Sequence, residues 1–305
     1  MKKVFALLVC VALFAGMMTL AAGEGAEFTL TAPSGAPAVA VARLAQDNPE
    51  RYTFISADTI AAAFASADAD FIIAPINAGA KLYKAGKSNY KLAAVITWGN
   101  LVFASQKENF TLADINGAKI TLFGENTINA SVALYVLAQE GIVPSSVEYL
   151  AGAAQTQQLL VADPEAIVMT AEPAVTAAKM KNEWIVSYAL RDELKTVSGY
   201  DGFAQAGLFV RGETLEAYPD EVKAYLQQIQ AAADEAESDI EAVARAAVAL
   251  EILPNEKVAV AAIPGCSIRY VAAPEAREAV EFTANIDLTQ FGGELPADDF
   301  YYAAE

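Results

Sequence analysis

Few residues of this chain are of the types that catalysis usually requires. The sequence contains no His, which removes the commonest general base and the commonest metal ligand. Cys266 lies in an apolar stretch with no His to activate it, so we expect a small buried side chain rather than a nucleophile. Glu125 and Glu172 could in principle act as an acid and base pair, but the sequence does not fix their separation. These residues predict a protein that is not an enzyme.

Motifs for metal, phosphate and acyl-transfer chemistry are also missing from the sequence. It contains no zinc-ligand spacing, no phosphate-binding glycine loop and no nucleophile elbow. We therefore expect no catalytic residues, no metal site and no cofactor. A His-independent enzyme on the same fold is kept as an alternative interpretation.

The charge of the chain argues against one class of partner. Its 305 residues include 38 acidic and 20 basic side chains, and the net charge is −18. Nucleic acid is therefore an implausible partner. Salt screens the field of such a surface beyond roughly 8 Å, so the net charge says little about the charge of a ligand in a cleft.

The first residues have the pattern of a secretory signal peptide, which we assign to residues 1–22. Two Lys residues precede an apolar run that ends in small residues, and cleavage is expected after Ala22 or Gly23. An uncleaved membrane anchor is the alternative. Gly23 stands where a bacterial lipoprotein leader has its acceptor Cys, so a lipid anchor is not supported. We expect an exported protein, periplasmic or at the cell surface, with a charge of −20 and a single Cys after loss of Cys10.

Apolar runs alternate with helical segments along the rest of the chain. The most informative stretch holds a strand, a Pro turn, a short helix and a second strand in the order DFIIAPINAGAKLYKAGKSNYKLAAVITWGN. Two further pairs of strand and helix precede it, beginning with FTLTA and YTFIS, and the alternation continues over about 107–204. This order predicts an α/β fold with mostly parallel sheets flanked by helices.

The order of the segments also predicts two lobes. Lobe one is discontinuous and comprises residues 27–104 and 205–305, whereas lobe two comprises residues 105–204. The chain would leave lobe one near Phe103 and return near Phe209. Two such crossings would form a hinge.

Four segments resemble the solute-binding proteins of ABC importers, specifically the group that handles nitrate, sulfonates, taurine and thiamine pyrimidine precursors. They are ADFIIAPINAGAKLY, KLAAVITWGNLVFAS, LADINGAKITLFG and FGGELPADDFYY. The resemblance covers nearly all of the chain after the leader. It implies a type 2 periplasmic-binding-protein fold, a ligand between two lobes, and closure that presents the loaded form to a permease. A pyrimidine-forming enzyme of thiamine biosynthesis is also similar, but it depends on His.

The resemblance further implies which residues face the ligand. They fall in five segments, all at strand exits or helix starts, where outward amides and short polar side chains can orient a small molecule. The implied ligand contacts are Ser34, Gly35, Ala36, Pro75, Asn77, Trp98, Gly99, Asn100, Glu125, Thr127, Asn129, Thr170 and Glu172.

Several of these residues also have a purely structural interpretation. Ser34 and Asn77 could simply cap their helices. Gly35 and Gly99 could only satisfy turn geometry. Trp98 could belong to the core of lobe one rather than to a pocket wall. The sequence leaves these alternatives open.

The charged residues of the five segments predict a ligand class. The segments contain Glu125 and Glu172 but no Lys or Arg, and Lys81 lies a turn deeper in its helix. We expect a neutral or cationic nitrogen compound, such as an amine or an amino-pyrimidine, rather than a sulfonate or nitrate, although helix amides alone can hold an anion. The expected partners are this solute and an ABC permease, with the protein as a monomer. An exported ligand-binding or adhesion protein without a transport role is the alternative.

Overall fold

The computed structural model describes residues 26–303. The predicted leader, residues 1–22, and its cleavage site lie outside the described residues. In the part of the chain that is described, no helix combines the length and the apolar character that crossing a membrane requires.

Strands and helices alternate along the described chain. The strands are β1 (Leu30–Pro33), β2 (Tyr52–Ile55), β3 (Phe71–Pro75), β4 (Lys91–Thr97), β5 (Leu101–Ser105), β6 (Lys119–Phe123), β7 (Ser146–Leu150), β8 (Ile167–Ala171), β9 (Val186–Ala189), β10 (Ala206–Val210) and β11 (Ile268–Ala272). The helices are α1 (Ala36–Val39), α2 (Ala42–Asp47), α3 (Ile60–Ser66), α4 (Ile76–Lys84), α5 (Ile128–Gln139), α6 (Ala153–Ala162), α7 (Ala174–Lys179), α8 (Leu190–Ser198), α9 (Gly212–Ala217), α10 (Pro219–Ser238), α11 (Ile240–Ala249), α12 (Glu256–Ala262) and α13 (Ala273–Ile286).

Within residues 26–303 the strands form two sheets. The six-stranded sheet has the order β11-β4-β10-β3-β1-β2, and the five-stranded sheet has the order β7-β6-β8-β5-β9. In the first, β1 pairs in parallel with β2 and β3, whereas β10 and β11 run antiparallel to their neighbours. In the second, β6 is parallel to β7 and β8, and β5 is antiparallel to β8 and β9. The predicted α/β fold class is confirmed, with mixed sheets rather than mostly parallel ones.

The antiparallel strands follow from the way the chain passes between the sheets. After β4 the chain runs through residues 98–100, the first crossing, and enters the five-stranded sheet as β5. It returns through residues 199–205, the second crossing. It then enters the six-stranded sheet beside the end of β4. Strand β10 must therefore run antiparallel to β4. The first crossing lies just before the boundary expected at residues 104 and 105.

Helices cover both faces of each sheet, which explains the continuous apolar runs. Ile72 of β3 packs in a cluster with Phe64 of α3, whereas Phe71 and Ile73 pack in another cluster with Leu226 of α10. Successive side chains of a strand point to opposite faces, so a strand between two helical layers must be apolar throughout. The cluster of Ile72 also contains residues of both crossings and of the five-stranded sheet, so one core continues from sheet to sheet.

Candidate functional site

The strand ends of the two sheets meet at the crossings. In the six-stranded sheet β1, β3 and β4 end on the same side, and β10 and β11 begin there. We call this row of strand ends the edge of the sheet. In the five-stranded sheet β6, β7, β8 and β9 end at the corresponding edge, and β5 begins there. The five predicted segments therefore lie along two sheet edges joined by the crossings. Ligands of open α/β sheets bind at edges of this kind.

Gln205, in the second crossing, bonds to both edges and was not among the predicted site residues. Its backbone N–H donates to the Thr97 carbonyl at 3.1 Å, and its carbonyl accepts from the Ile76 N–H at 3.0 Å. Its side-chain oxygen accepts from the Asn100 N–H at 3.2 Å, and its side-chain nitrogen donates to Asn129 Oδ1, also at 3.2 Å. One residue thus connects the end of β4, the start of α4, the first crossing and helix α5.

Asn100 links the first crossing to the exit of β8. Its Nδ2 donates to the Glu172 carbonyl at 2.7 Å, and its own carbonyl accepts from the Glu172 N–H at 2.9 Å. Within the described residues, Asn100 Oδ1 is buried without a hydrogen-bond partner. The backbone of Asn100 is therefore fixed by both edges, while one of its acceptors is left unused.

Asn77 has a similar unused acceptor. The side chain is buried near the start of α4, and its Oδ1 has no partner among the described residues. Pro75 occupies the N-cap position, and no side chain caps the helix. Asn77 therefore does not cap α4. A buried acceptor without a partner is rare and calls for a donor that the described residues do not supply.

Trp98 is held mainly by protein contacts. The side chain is only 6% exposed, and its indole Nε1 donates to the Arg269 carbonyl at 2.8 Å. The Arg269 guanidinium carbon lies 4.5 Å from the centre of the indole ring, at the distance of a cation–π contact. Most of the indole thus belongs to the core, and its remaining surface borders a cavity.

Two glycines allow the crossings to pack against each other. Gly99 has φ +92°, and a Cβ on it would lie 2.9 Å from the Phe203 ring. Gly202 has φ +94°, and a Cβ there would lie 2.2 Å from the Trp98 carbonyl oxygen. Both positions need glycine, for their backbone conformation and for lack of space. The geometry and packing of the first crossing therefore require a glycine at position 99.

The exit of β1 is more open. Ser34 is exposed, and its N–H donates to the Ile55 carbonyl of β2 at 2.9 Å. Gly35, with φ +100°, is the N-cap of α1, and no side chain caps this helix. Space around Gly35 is open, whereas Ala36 is buried. Ser34 therefore does not cap α1, and its side chain faces solvent.

The polar residues at the exits of β6 and β8 differ in exposure and in the hydrogen bonds of their side chains. Glu125 is exposed. Thr127 is the N-cap of α5, and its hydroxyl donates back to the Gly124 carbonyl at 2.6 Å. Thr170 is fully buried and donates to the Ala153 carbonyl at 3.2 Å. Of these side chains, Glu125 is the one that is open to a solute.

Glu172 forms a contact between the two edges. Its carboxylate accepts from the Thr176 hydroxyl at 2.8 Å and from the Thr176 N–H at 3.3 Å. A Cβ on Gly265, which follows α12, would lie 2.8 Å from Glu172 Cγ. Burial raises the pKa of the Glu172 carboxyl, and the opposing hydrogen bonds from Thr176 do not cancel this effect. The carboxylate is therefore already hydrogen-bonded to the first turn of α7.

Cys266 is buried, as expected for a small core side chain. Burial raises the pKa of its thiol, which disfavours the reactive thiolate. Among the described residues, no group of three or more acidic or Cys side chains is placed to hold a metal ion.

The fold is similar to solved structures of ABC-importer binding proteins. A protein described as an ABC transporter from Parabacteroides distasonis is 20% identical, with 91% of this chain and 99% of that chain covered and a TM-score of 0.76. The aliphatic sulphonate-binding protein SsuA from Escherichia coli is 13% identical (92% and 94% covered, TM-score 0.69). The nitrate-binding protein NrtA from Synechocystis PCC 6803 is 12% identical (90% and 83% covered, TM-score 0.60). No protein-family model and no curated protein sequence matches the chain. The likeness shows a shared two-lobe α/β fold.

Proposed function

We propose that this protein is the solute-binding component of an ABC importer, which captures a small organic molecule between its lobes and delivers it to a membrane permease. One observation carries the proposal most directly. Gln205 bonds to the start of α4, the end of β4, the first crossing and helix α5, so polar segments of both sheet edges converge on one place. The fold shared with sulphonate- and nitrate-binding proteins supports the same function.

In this proposal the two lobes close about the crossings. Lobe one comprises residues 27–104 and 205–305, and lobe two comprises residues 105–204. The crossings are short and pack against each other, so a small change in their backbone would turn one lobe relative to the other. The protein would be exported by its leader and act without a lipid anchor, as a monomer, in the periplasm or at the cell surface.

The proposed ligand is a neutral or cationic nitrogen compound. Asn77 and Asn100 each have a buried amide oxygen without a donor, and exposed Glu125 adds a carboxylate. N–H groups or an ammonium would satisfy such acceptors, whereas a sulfonate or nitrate would not. Both amide oxygens are buried in this structure, so the proposal requires that separation of the lobes uncovers them.

Native mass spectrometry of the protein as purified, followed by a thermal-shift screen, tests the function and the ligand class. We expect a retained small molecule, and stabilisation by amines or amino-pyrimidines. Stabilisation by sulfonates or nitrate alone would contradict the ligand class and leave the receptor function standing. A protein that retains nothing and is stabilised by no solute would contradict the function and favour an adhesion role.

A further inference from the structure

The cavity beside Trp98 has only this one of the predicted ligand contacts in its walls. Its volume is about 390 Å³, within the range of about 300–1,000 Å³ found for small-molecule sites. Its walls come from the end of α10, the start of α11, the turn after α12 and the start of β11, together with Arg191 at the start of α8. We call it the side cavity.

Arg269 contributes a positive charge to the side cavity. Its guanidinium stacks on the Trp98 ring and makes no ion pair with any described residue. Arg191 differs, because its guanidinium donates to the Asp201 carboxylate through both Nε, at 3.2 Å, and Nη2, at 3.1 Å. The planar guanidinium of Arg269 is therefore free to receive a carboxylate.

Glu237 contributes a negative charge to the same cavity. It lines the side cavity near the end of α10, is exposed, and forms no hydrogen bond or ion pair with any described residue. The opposite charges of Glu237 and Arg269 thus border one cavity without neutralising each other. The same cavity is also lined by aliphatic side chains, those of Ala236, Ile240 and Ile263.

We propose that the side cavity is a second binding site, which takes a small zwitterion with an aliphatic body, such as an aliphatic α-amino acid. The ligand carboxylate binds the Arg269 guanidinium, and the ligand ammonium binds the Glu237 carboxylate. The aliphatic body packs against Ile240 and Ile263. Because Arg191 belongs to the five-stranded-sheet side and the other walls to the opposite side, an occupant contacts both halves of the protein.

The first experiment uses Trp98 as its reporter. The chain has two Trp residues, and Trp184 is 71% exposed, so Trp184→Phe leaves Trp98 as the only indole. L-alanine, L-valine and L-leucine are titrated into this variant while Trp98 fluorescence is followed. We expect a saturable change with at least one of them, at micromolar to low millimolar concentrations. A flat response to all three overturns the proposal.

The second experiment assigns the two charges by calorimetry. If L-leucine is the amino acid that binds, two of its analogues serve as further ligands. The analogue 4-methylpentanoate lacks the ammonium group, and 3-methylbutylamine lacks the carboxylate. Arg269→Gln should weaken L-leucine and 4-methylpentanoate by at least about tenfold, and Glu237→Gln should weaken L-leucine but not 4-methylpentanoate. Arg245→Gln and Glu241→Gln, both exposed on α11 and outside the cavity walls, are the matched controls.

The same variants separate this site from the proposed cleft. If both cavity variants leave amino-acid binding unchanged and Asn129→Ala abolishes it, the amino acid binds in the cleft. That result would overturn the second site. Retained cleft binding of an amine in Arg269→Gln, together with lost amino-acid binding, is the outcome we expect. Failure of the second site would leave the solute-receptor function untouched, because the latter is tested by solutes in the cleft.

Discussion

The predicted ligand site has an inner half at the crossings and an outer half at the free ends of the sheet edges. In the inner half, Trp98 and Asn100 are buried and hydrogen-bonded, and Gln205 bonds to Asn100, to the end of β4 and to helix α5. In the outer half, Ser34 and Glu125 are exposed, and their side chains form no hydrogen bond or ion pair with any described residue. The inner half therefore sets the geometry of the two edges, and the outer half remains available to a solute.

Substitution of a glycine in the inner half should have the largest effect on stability. Gly202→Ala places a Cβ 2.2 Å from the Trp98 carbonyl oxygen at a positive φ, so it combines backbone strain with a collision. We expect it to lower the free energy of unfolding by about 4 kcal/mol. Gly35→Ala has the strain without the collision, and should cost about 1 to 3 kcal/mol. Urea unfolding of both variants measures the difference; equal losses would contradict a tightly packed inner half.

Removal of the Gln205 side chain should have the next largest effect. Gln205→Ala deletes one hydrogen bond between the two crossings and one from the second crossing to α5, and it leaves the Asn100 N–H without its partner. We expect a loss of about 1 to 3 kcal/mol in the free energy of unfolding. Ser34→Ala, the control in the outer half, should stay within about 0.5 kcal/mol of the parent protein. A neutral Gln205→Ala would show that Gln205 does not stabilise the inner half.

A smaller effect should appear in the pH dependence of stability. Burial raises the pKa of the Glu172 carboxyl above its ordinary value of 4.5, so the folded state holds this proton more tightly than the unfolded state. Glu172 should therefore favour folding below pH 4.5, and this contribution should fall as the pH rises through the raised pKa. Glu172→Gln should gain stability relative to the parent protein over the same rise in pH. Thermal unfolding at several pH values measures this, and a constant difference would contradict it.

The smallest change in stability should come from Glu125→Gln. Glu125 is exposed, so its substitution should alter the free energy of unfolding by no more than about 0.5 kcal/mol. If the solute is cationic, the same change should weaken its binding, because an acceptor charge is lost. Calorimetry with a stabilising amine and with an uncharged analogue shows whether Glu125 contributes through the charge of the solute. Loss of affinity for the amine alone is expected, and unchanged affinity for both would remove Glu125 from the site.

The sequence predicts the parts of the fold that depend on burial. Runs such as FIIAP and LAAVIT are apolar because helices cover both faces of the six-stranded sheet, and such runs predict strands. The weaker strand β11, with Arg269 and Tyr270 at its centre, lacks such a run and was not predicted. The antiparallel direction of β10 depends on the return of the chain from the other sheet, which a local pattern does not contain.

The site is less predictable than the fold because its contacts join distant segments. Pro75 and Gly99 locate two of the strand exits, but the sequence does not decide whether Ser34 and Asn77 cap their helices. The structure shows that Ser34 and Asn77 do not cap their helices. Gln205 was missed because a single Gln in a loop has no periodicity or motif, although it directly precedes the predicted strand AGLFVRG.

Small-angle X-ray scattering with and without a stabilising solute tests the central claim most directly. The claim is that a solute held between the lobes closes them about the two crossings. We predict that a compound found in the thermal-shift screen lowers the radius of gyration of the parent protein, in proportion to its occupancy. A solute that binds with micromolar affinity and leaves the scattering profile unchanged would contradict the account.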